Sequence, residues 1–493
     1  MNSNESTLYN LNFNMKRRKF IENISLFGGL TMIDPSHMVT SKISRSEIFP
    51  EVRTALDQRK FKSNAIESAI LDFQNNVKNK ELGWLFNNCF PNTLDTTVFY
   101  NDKYGANADT YVITGDIDAM WLRDSAAQVW PYLEFVGKDE KLQGLITGVI
   151  NRQIKYILKD PYANAFYYDP QKVGEWASDE TDMQPGVHER KWEIDSLCYP
   201  IRLAYAYWKT TGDTTPFNEN WEKSIRLIYQ TFREQQKKES RGPYSFQRET
   251  TAATDTRALN GYGYPVNPTG LICSAFRPSD DATVFSFLIP SNFFAVTSLR
   301  QAAEMLTKIA GNTKDAERLQ TLANEVEKAI NDYAIITHPQ YGEIYAYEID
   351  GFGNKLMMDD ANVPSLLSLP YLNNLPTGDK VYRNTRRFVW SLENPFYFEG
   401  DFAEGVGGPH VAMDMIWPMS LIIKGLTSGK DAEILNCISV LMKTHGETGF
   451  MHESFYKNDP KKFTRAWFAW ANTLFGELLW KTFKEKRYLL DQL

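Results

Sequence analysis

The chain has 493 residues, of which 43% are hydrophobic and 23% charged, with a net charge of -7. That length supports a large core and exceeds the usual single-core size unless the fold is one of the big repetitive barrels. The acidic balance leaves no electrostatic footprint for nucleic acid or an anionic membrane, so no polyanion partner is expected.

Residues 1 to 14 are rich in Asn and Ser, and MKRRKFIENISLFGGLTMI follows, with Arg17 and Arg18 paired ahead of a modestly apolar stretch that contains Glu22 and Asn23. The pattern resembles a twin-arginine export signal, with Met15 an alternative start. It predicts a leader over residues 1–45 and an exported protein of the bacterial periplasm. No later segment has the run of apolar residues a membrane span needs.

From about residue 60 the apolar residues recur at three and four spacing, which predicts helices in NAIESAILDFQNNV, EKLQGLITGVINRQIKYIL, SLCYPIRLAYAYWKTTGD, FFAVTSLRQAAEMLTKIAG, AERLQTLANEVEKAINDYAI, MIWPMSLIIKGLTSG, AEILNCISVLMKTHG and FAWANTLFGELLWKTF. Many of these stop at Gly followed by Asp or Asn, and a second helix follows. Strand signals are short, with EIYAYEID at 343 to 350 the clearest. No Pro/Ser linker separates blocks. The economical architecture is all-α: one domain over residues 46–493, an (α/α)6 toroid or barrel of paired helices.

Between the pairs lie loops rich in acids and aromatics. TGDIDAMWLRD carries Trp121, Arg123 and Asp124; HERKWEIDS carries Glu193 and Asp195; MMDDANVPS carries Asn362; FRPSDDATVF carries Asp280 and Asp281; GFMHESF carries His452 and Glu453. Each run alone reads as caps and solvated faces, but their recurrence with aromatics points to a sugar site, where rings stack on C–H faces and charged groups hold hydroxyls. Ser279 and the two Asp residues also resemble a helix start ahead of an apolar run. Cys89, Cys198, Cys273 and Cys437 are widely spaced without C-x-x-C or His at ligand spacing, which predicts buried free thiols and no metal or other cofactor.

G-x-x-x-x-G-K-[ST], H-E-x-x-H and G-x-S-x-G are all missing from the sequence, so phosphoryl transfer, zinc proteolysis and serine-hydrolase chemistry lack their usual signatures. Glycoside hydrolysis needs only two carboxyl groups. A neighbouring carboxylate and partial burial are expected to raise the pKa of the proton donor. Spacing alone leaves open which of Asp280 and Asp281 is that donor.

The segments DTTVFYNDKYGANADTYVITGDIDAMWLRDS, INRQIKYILKDPYANAF, ERKWEIDSLCYP, FRPSDDA, LIPSNFFAV, MDDANVPSLLSLPYL and GFMHESFYKNDPKKFTRAWFAWAN resemble those of glycoside hydrolase family 125, from about residue 60 to 482. The resemblance implies exo-acting α-1,6-mannosidases with an (α/α)6 fold, inversion and no catalytic metal. It places the general acid on Asp280 and the general base on Glu453, and makes Arg123 and Asp124 a sugar-gripping pair. Trp121, Glu193, Asp195, Asp281, Asn362 and His452 complete the expected substrate-binding set. The expected partners are mannose-containing oligosaccharides, N-glycans or mannan fragments. Two rivals share the toroid: a non-catalytic glycan-binding protein, which has no need of Asp280 and Glu453 together, and an epimerase or lyase using His188, His410 or His452 as base.

Overall fold

The computed structural model describes residues 49–493, so the expected leader lies outside the described residues. In chain order the α-helices are α1 (Asn64–Asn76), α2 (Lys80–Cys89), α3 (Asn92–Thr96), α4 (Leu122–Val129), α5 (Glu140–Lys159), α6 (Ile194–Thr211), α7 (Glu219–Gln235), α8 (Ile289–Lys308), α9 (Thr313–Tyr333), α10 (Lys380–Val389), α11 (Pro418–Leu426), α12 (Asp431–Lys443) and α13 (Ala469–Leu490).

They take two alternating roles. Helix α4 packs on α6, α6 on α8, α11 on α13, and α13 returns to α4, giving an inner ring. The next helix in the chain runs back outside its predecessor, as α9 does along α8 and α12 along α11. Sequence explains the division. Every residue of α4 is buried, as an element covered on all sides requires. Helix α9 instead buries only the stripe Ala316, Leu319, Leu322, Ala323, Val326, Ala329 and Ile330, and Asn312 caps it by accepting from the Asp315 amide. Burying each of Leu319, Val326 and Ile330 contributes about 1.5–3 kcal/mol.

The fourth inner position holds no helix. Residues 363 to 374 form consecutive turns there, because Pro364, Pro370 and Pro376 remove donors and clash with the preceding turn. Side chains from the ring hold the segment instead: Tyr199 Oη donates to the Val363 carbonyl at 2.9 Å, Thr297 Oγ1 to Asn374 Oδ1 at 2.8 Å, and Tyr371 Oη to Glu477 Oε2 at 2.8 Å.

Helices α2, α3, α7 and α10 add to those expected from periodicity. The β structure is confined to two- and three-stranded sheets. EIYAYEID divides between two of them: Gly342–Tyr345 pairs with Ile335–His338, and Glu348–Ile349 lies between Phe287–Leu288 and Lys355–Leu356. All four cysteines are buried and free. Among the described residues no helix is long and apolar enough to cross a membrane.

Candidate active site

One end of the inner ring opens into a cavity of about 510 Å³. Its wall collects residues from just before or within the first turn of the inner helices: Trp121, Arg123 and Asp124 at α4, Lys191 ahead of α6, Trp417 at α11 and Phe468 at α13. Asp280, Asn362 and Glu453 join them from the intervening loops. The amide ends of the ring helices thus face the site, which favours acidic groups there.

The SDD turn explains the two adjacent acids. The Arg277 amide donates to the Asp281 carbonyl at 2.8 Å and the Asp280 amide to the Arg277 carbonyl at 2.9 Å, closing a tight loop with Asp280 at φ 68°. Asp tolerates this left-handed backbone better than most residues, and such strain persists only where the surroundings fix it. Here Arg277 Nε donates to Glu348 Oε1 at 2.6 Å, Glu348 Oε2 accepts from the Val284 and Phe285 amides, and Ser279 Oγ donates to Asp360 at 3.0 Å. Asp280 therefore turns to Arg123, while Asp281 lies 3.3 Å from His410 Nδ1. Neither acid caps a helix: Phe287–Leu288 is a strand, and α8 begins at Ile289.

Arg123 is the hub. Its guanidinium meets Asp124 at 2.7 Å, Asp280 at 2.9 Å, Glu193 at 3.3 Å and Asp195 at 3.4 Å. One cation cannot balance four carboxylates. Two like charges 4 Å apart repel by about 4 kcal/mol at an effective dielectric of 20, so the cluster retains protons. Complete burial pushes Glu193 well above the usual carboxylate range, with Arg123 opposing and Asp280 and Asp195 adding to the rise. Burial likewise raises Asp195 to about 7 against the pull of Arg123. Asp280 goes the other way. Burial acts to raise it, but Arg123, Lys191 and a hydrogen bond from Glu193 together bring it down to about 2. The expected upward shift of Asp280 is thus not found, because its closest neighbours are cations and the adjacent carboxyl takes the proton.

The expected substrate-binding residues divide by position. Trp121, Arg123, Asp124, Asp281 and Asn362 line the cavity. Glu193 and Asp195 do not; their side chains are fully buried beneath Arg123. His452 does not line it either, since its ring stacks on Phe463 at 3.6 Å and Nε2 lies 3.2 Å from the His445 carbonyl. Glu453, the next residue, faces the other way and accepts from Arg465 Nη1 at 3.4 Å.

Several cavity residues escaped the sequence reading. From Glu189 onward the chain alternates, so Glu189, Lys191 and Glu193 lie on the site side, whereas Trp192 donates to the Cys273 carbonyl and Arg190 to Asp160. Lys191 Nζ meets Asp255 at 2.6 Å and Glu189 at 3.2 Å. Arg248 stacks over Trp176 at 3.7 Å on the same wall. That alternation in ERKWE was the available signal for Lys191; Arg248 and Trp176 carried none.

A family model described as metal-independent alpha-mannosidase (GH125) matches residues 79–480. The chain belongs to glycoside hydrolase family 125. Its resemblance to an α/α toroid is thereby confirmed for this family-125 chain, which is 42% identical over 460 residues to the Meiotically up-regulated gene 157 protein of Schizosaccharomyces pombe, covering 90% of each. A solved Streptococcus pneumoniae relative, 39% identical with a TM-score of 0.83, covers 87% of this chain and 100% of its own. That structure is described as a non-productive substrate complex with alpha-1,6-mannobiose. A bacterial glucoamylase complexed with acarbose, 13% identical with a TM-score of 0.54 over 85% of this chain and 59% of its own, shares the fold alone. Among the described residues of this family-125 mannosidase, no group of three or more His, Cys, Asp or Glu side chains is placed to hold a metal ion.

Proposed function

We propose that this family-125 α-mannosidase is exo-acting and inverting, and releases mannose from the non-reducing ends of α-1,6-linked mannosides in N-glycans or mannan fragments. The observation that carries the proposal is that Asp280 and Glu453, from loops far apart in the chain, line one cavity walled by Trp121, Arg123 and Asp124. The mannobiose bound by the pneumococcal relative supports the linkage.

In this reading Asp280 delivers a proton to the glycosidic oxygen as the C1–O bond breaks. Glu453 takes a proton from the water whose oxygen attacks C1 from the opposite face. Arg123 and Asp124 hold hydroxyls of the terminal mannose, and Trp121 offers its ring to the sugar.

Incubation with α-1,2-, α-1,3-, α-1,4- and α-1,6-mannobiose, with free mannose as the readout, tests the specificity. Release from the 1,6-linked isomer is expected to dominate, and equal or preferred release from another isomer contradicts it. A separate proposal is that residues 1–45 direct export to a bacterial periplasm. Fractionation of cells expressing the whole chain tests it, and uncleaved protein retained in the cytoplasm contradicts it.

A further inference from the structure

Glu193 has no place in the reaction as described so far, yet it is built into the centre of the site. Its side chain is completely buried and does not reach the cavity. Oε2 accepts from Ser196 Oγ at 2.7 Å. Oε1 shares two donors with Asp280 Oδ1: Arg123 Nη2, at 3.3 and 2.9 Å respectively, and Asn164 Nδ2, at 3.4 and 3.2 Å. Two carboxyl oxygens that converge on the same pair of donors lie close together, placed for one carboxyl group to hydrogen-bond the other. That bond requires a proton, because two carboxylates cannot donate.

We propose that Glu193 is the proton store for Asp280: a buried positioning residue that holds the catalytic proton in the resting enzyme and passes it on as substrate binds. This rests on Asp280 being the general acid.

The surroundings favour storage on the Glu193 side. Facing Glu193 are Arg123 from α4, Asp195 from the first turn of α6 and Asp280 from the SDD turn, with Asn164 and Ser196 as neutral partners. Facing Asp280 are Arg123, Lys191 and His410 as cationic or protonatable groups, with Asp124 and Glu193 as acids. The cations thus gather round Asp280, which is open to the cavity, and leave the fully buried Glu193 as the site where a neutral carboxyl costs least. When the glycosidic oxygen reaches Asp280, the Glu193 O–H proton moves to Asp280 and the Asp280 proton moves to the leaving oxygen as C1–O breaks. Glu193 is left as a carboxylate against Arg123. Water loses one proton to Glu453, which returns it to solvent, and the pair recovers one proton from solvent, so the cycle balances.

E193Q separates storage from structure. The amide keeps an acceptor for Ser196 and a donor for Asp280 but carries no transferable proton, so the fold and Tm are expected to be unchanged. On α-1,6-mannobiose, kcat should fall roughly hundredfold. The alkaline limb of its pH profile should move to lower pH, since Asp280 must then be protonated directly from solvent. On 2,4-dinitrophenyl α-mannoside, whose leaving group needs no proton, E193Q should react like the parent. Equal losses on both substrates, or an unmoved alkaline limb, overturn the proposal. D280N run alongside keeps the two ideas apart: if D280N hydrolyses mannobiose at the parental rate, the assignment of Asp280 fails. If D280N is impaired but E193Q is not, only proton storage fails.

Discussion

Arg465 Nη1 reaches Oε1 of Glu453 at 3.4 Å, while its Nε and Nη2 both bond Asp116 Oδ1, at 2.9 and 2.6 Å. A cation pinned on one side by Asp116 therefore orients the carboxylate proposed as general base. Charge-assisted hydrogen bonds of this kind contribute about 1.5–3 kcal/mol. R465A is accordingly expected to lower kcat on mannobiose roughly tenfold to a hundredfold. R465K should recover only part of that, because an ammonium cannot span both partners as the guanidinium fork does. Steady-state kinetics decide it, and a parental kcat for R465A contradicts the role.

Arg123 should matter to stability as much as to binding. Removing it leaves Asp124, Glu193 and Asp195 buried without their counter-ion, and breaking a buried pair costs about 3–5 kcal/mol. R123A is expected to lower Tm clearly and to weaken mannose binding, whereas R123K should fall between it and the parent. Thermal melts with and without mannose check both effects. An R123A variant with unchanged Tm would show that the carboxylates do not depend on the hub.

His410 gives the site a pH signature. Burial acts to lower its pKa, but the Asp281 carboxylate, with Asp280 and Glu453 nearby, raises it to about 9. Because the folded value lies above the ordinary one near 6.5, the stabilisation is fully present below about pH 6.5 and is lost as pH rises through about 9. The imidazole is about a third exposed, so solvent screens the effect. H410Q should remove this component: its urea midpoint is expected to sit below the parent's at pH 6 and to converge with it by pH 10. A constant gap across that range contradicts the pairing.

Much of this was legible in the sequence for physical reasons. Apolar spacing revealed α5, α8, α9 and α13, because long helices that bury one stripe must show it. Helix α7 carries a stripe of the same kind in Trp221, Ile225, Ile228 and Phe232 after its Asn218 cap, yet it was not among the helices expected from periodicity, because charged and polar residues crowd the rest of the segment. The turns at 363 to 374 follow from their prolines. What sequence could not supply was long-range pairing. Asp281 lies against His410 across 129 positions, and Arg123 meets Asp280 across 157, so neither the His pairing nor the direction of the Asp280 shift is encoded locally. His452 was read with Glu453 because they are adjacent, yet adjacent residues on an extended segment point to opposite sides.

The two carboxyl groups should fail differently. D280N is expected to cut turnover of mannobiose by about 10²–10⁴ while sparing 2,4-dinitrophenyl α-mannoside, and E453Q should impair both, because every substrate needs its water activated. Circular dichroism should show both variants folded. If E453Q spares the activated substrate, Glu453 is not the base.

The most direct test of the central claim follows the anomer first released. Inverting glycosidases hold their carboxyl groups roughly 6.5–9.5 Å apart to admit water, whereas retaining enzymes bring them to about 5–5.5 Å so that one attacks carbon. Hydrolysis of an α-1,6-mannoside, monitored by proton NMR before mutarotation, is expected to show β-mannose first. Initial release of α-mannose would mean retention, and would contradict the assignment of Asp280 as acid and Glu453 as the base that activates water.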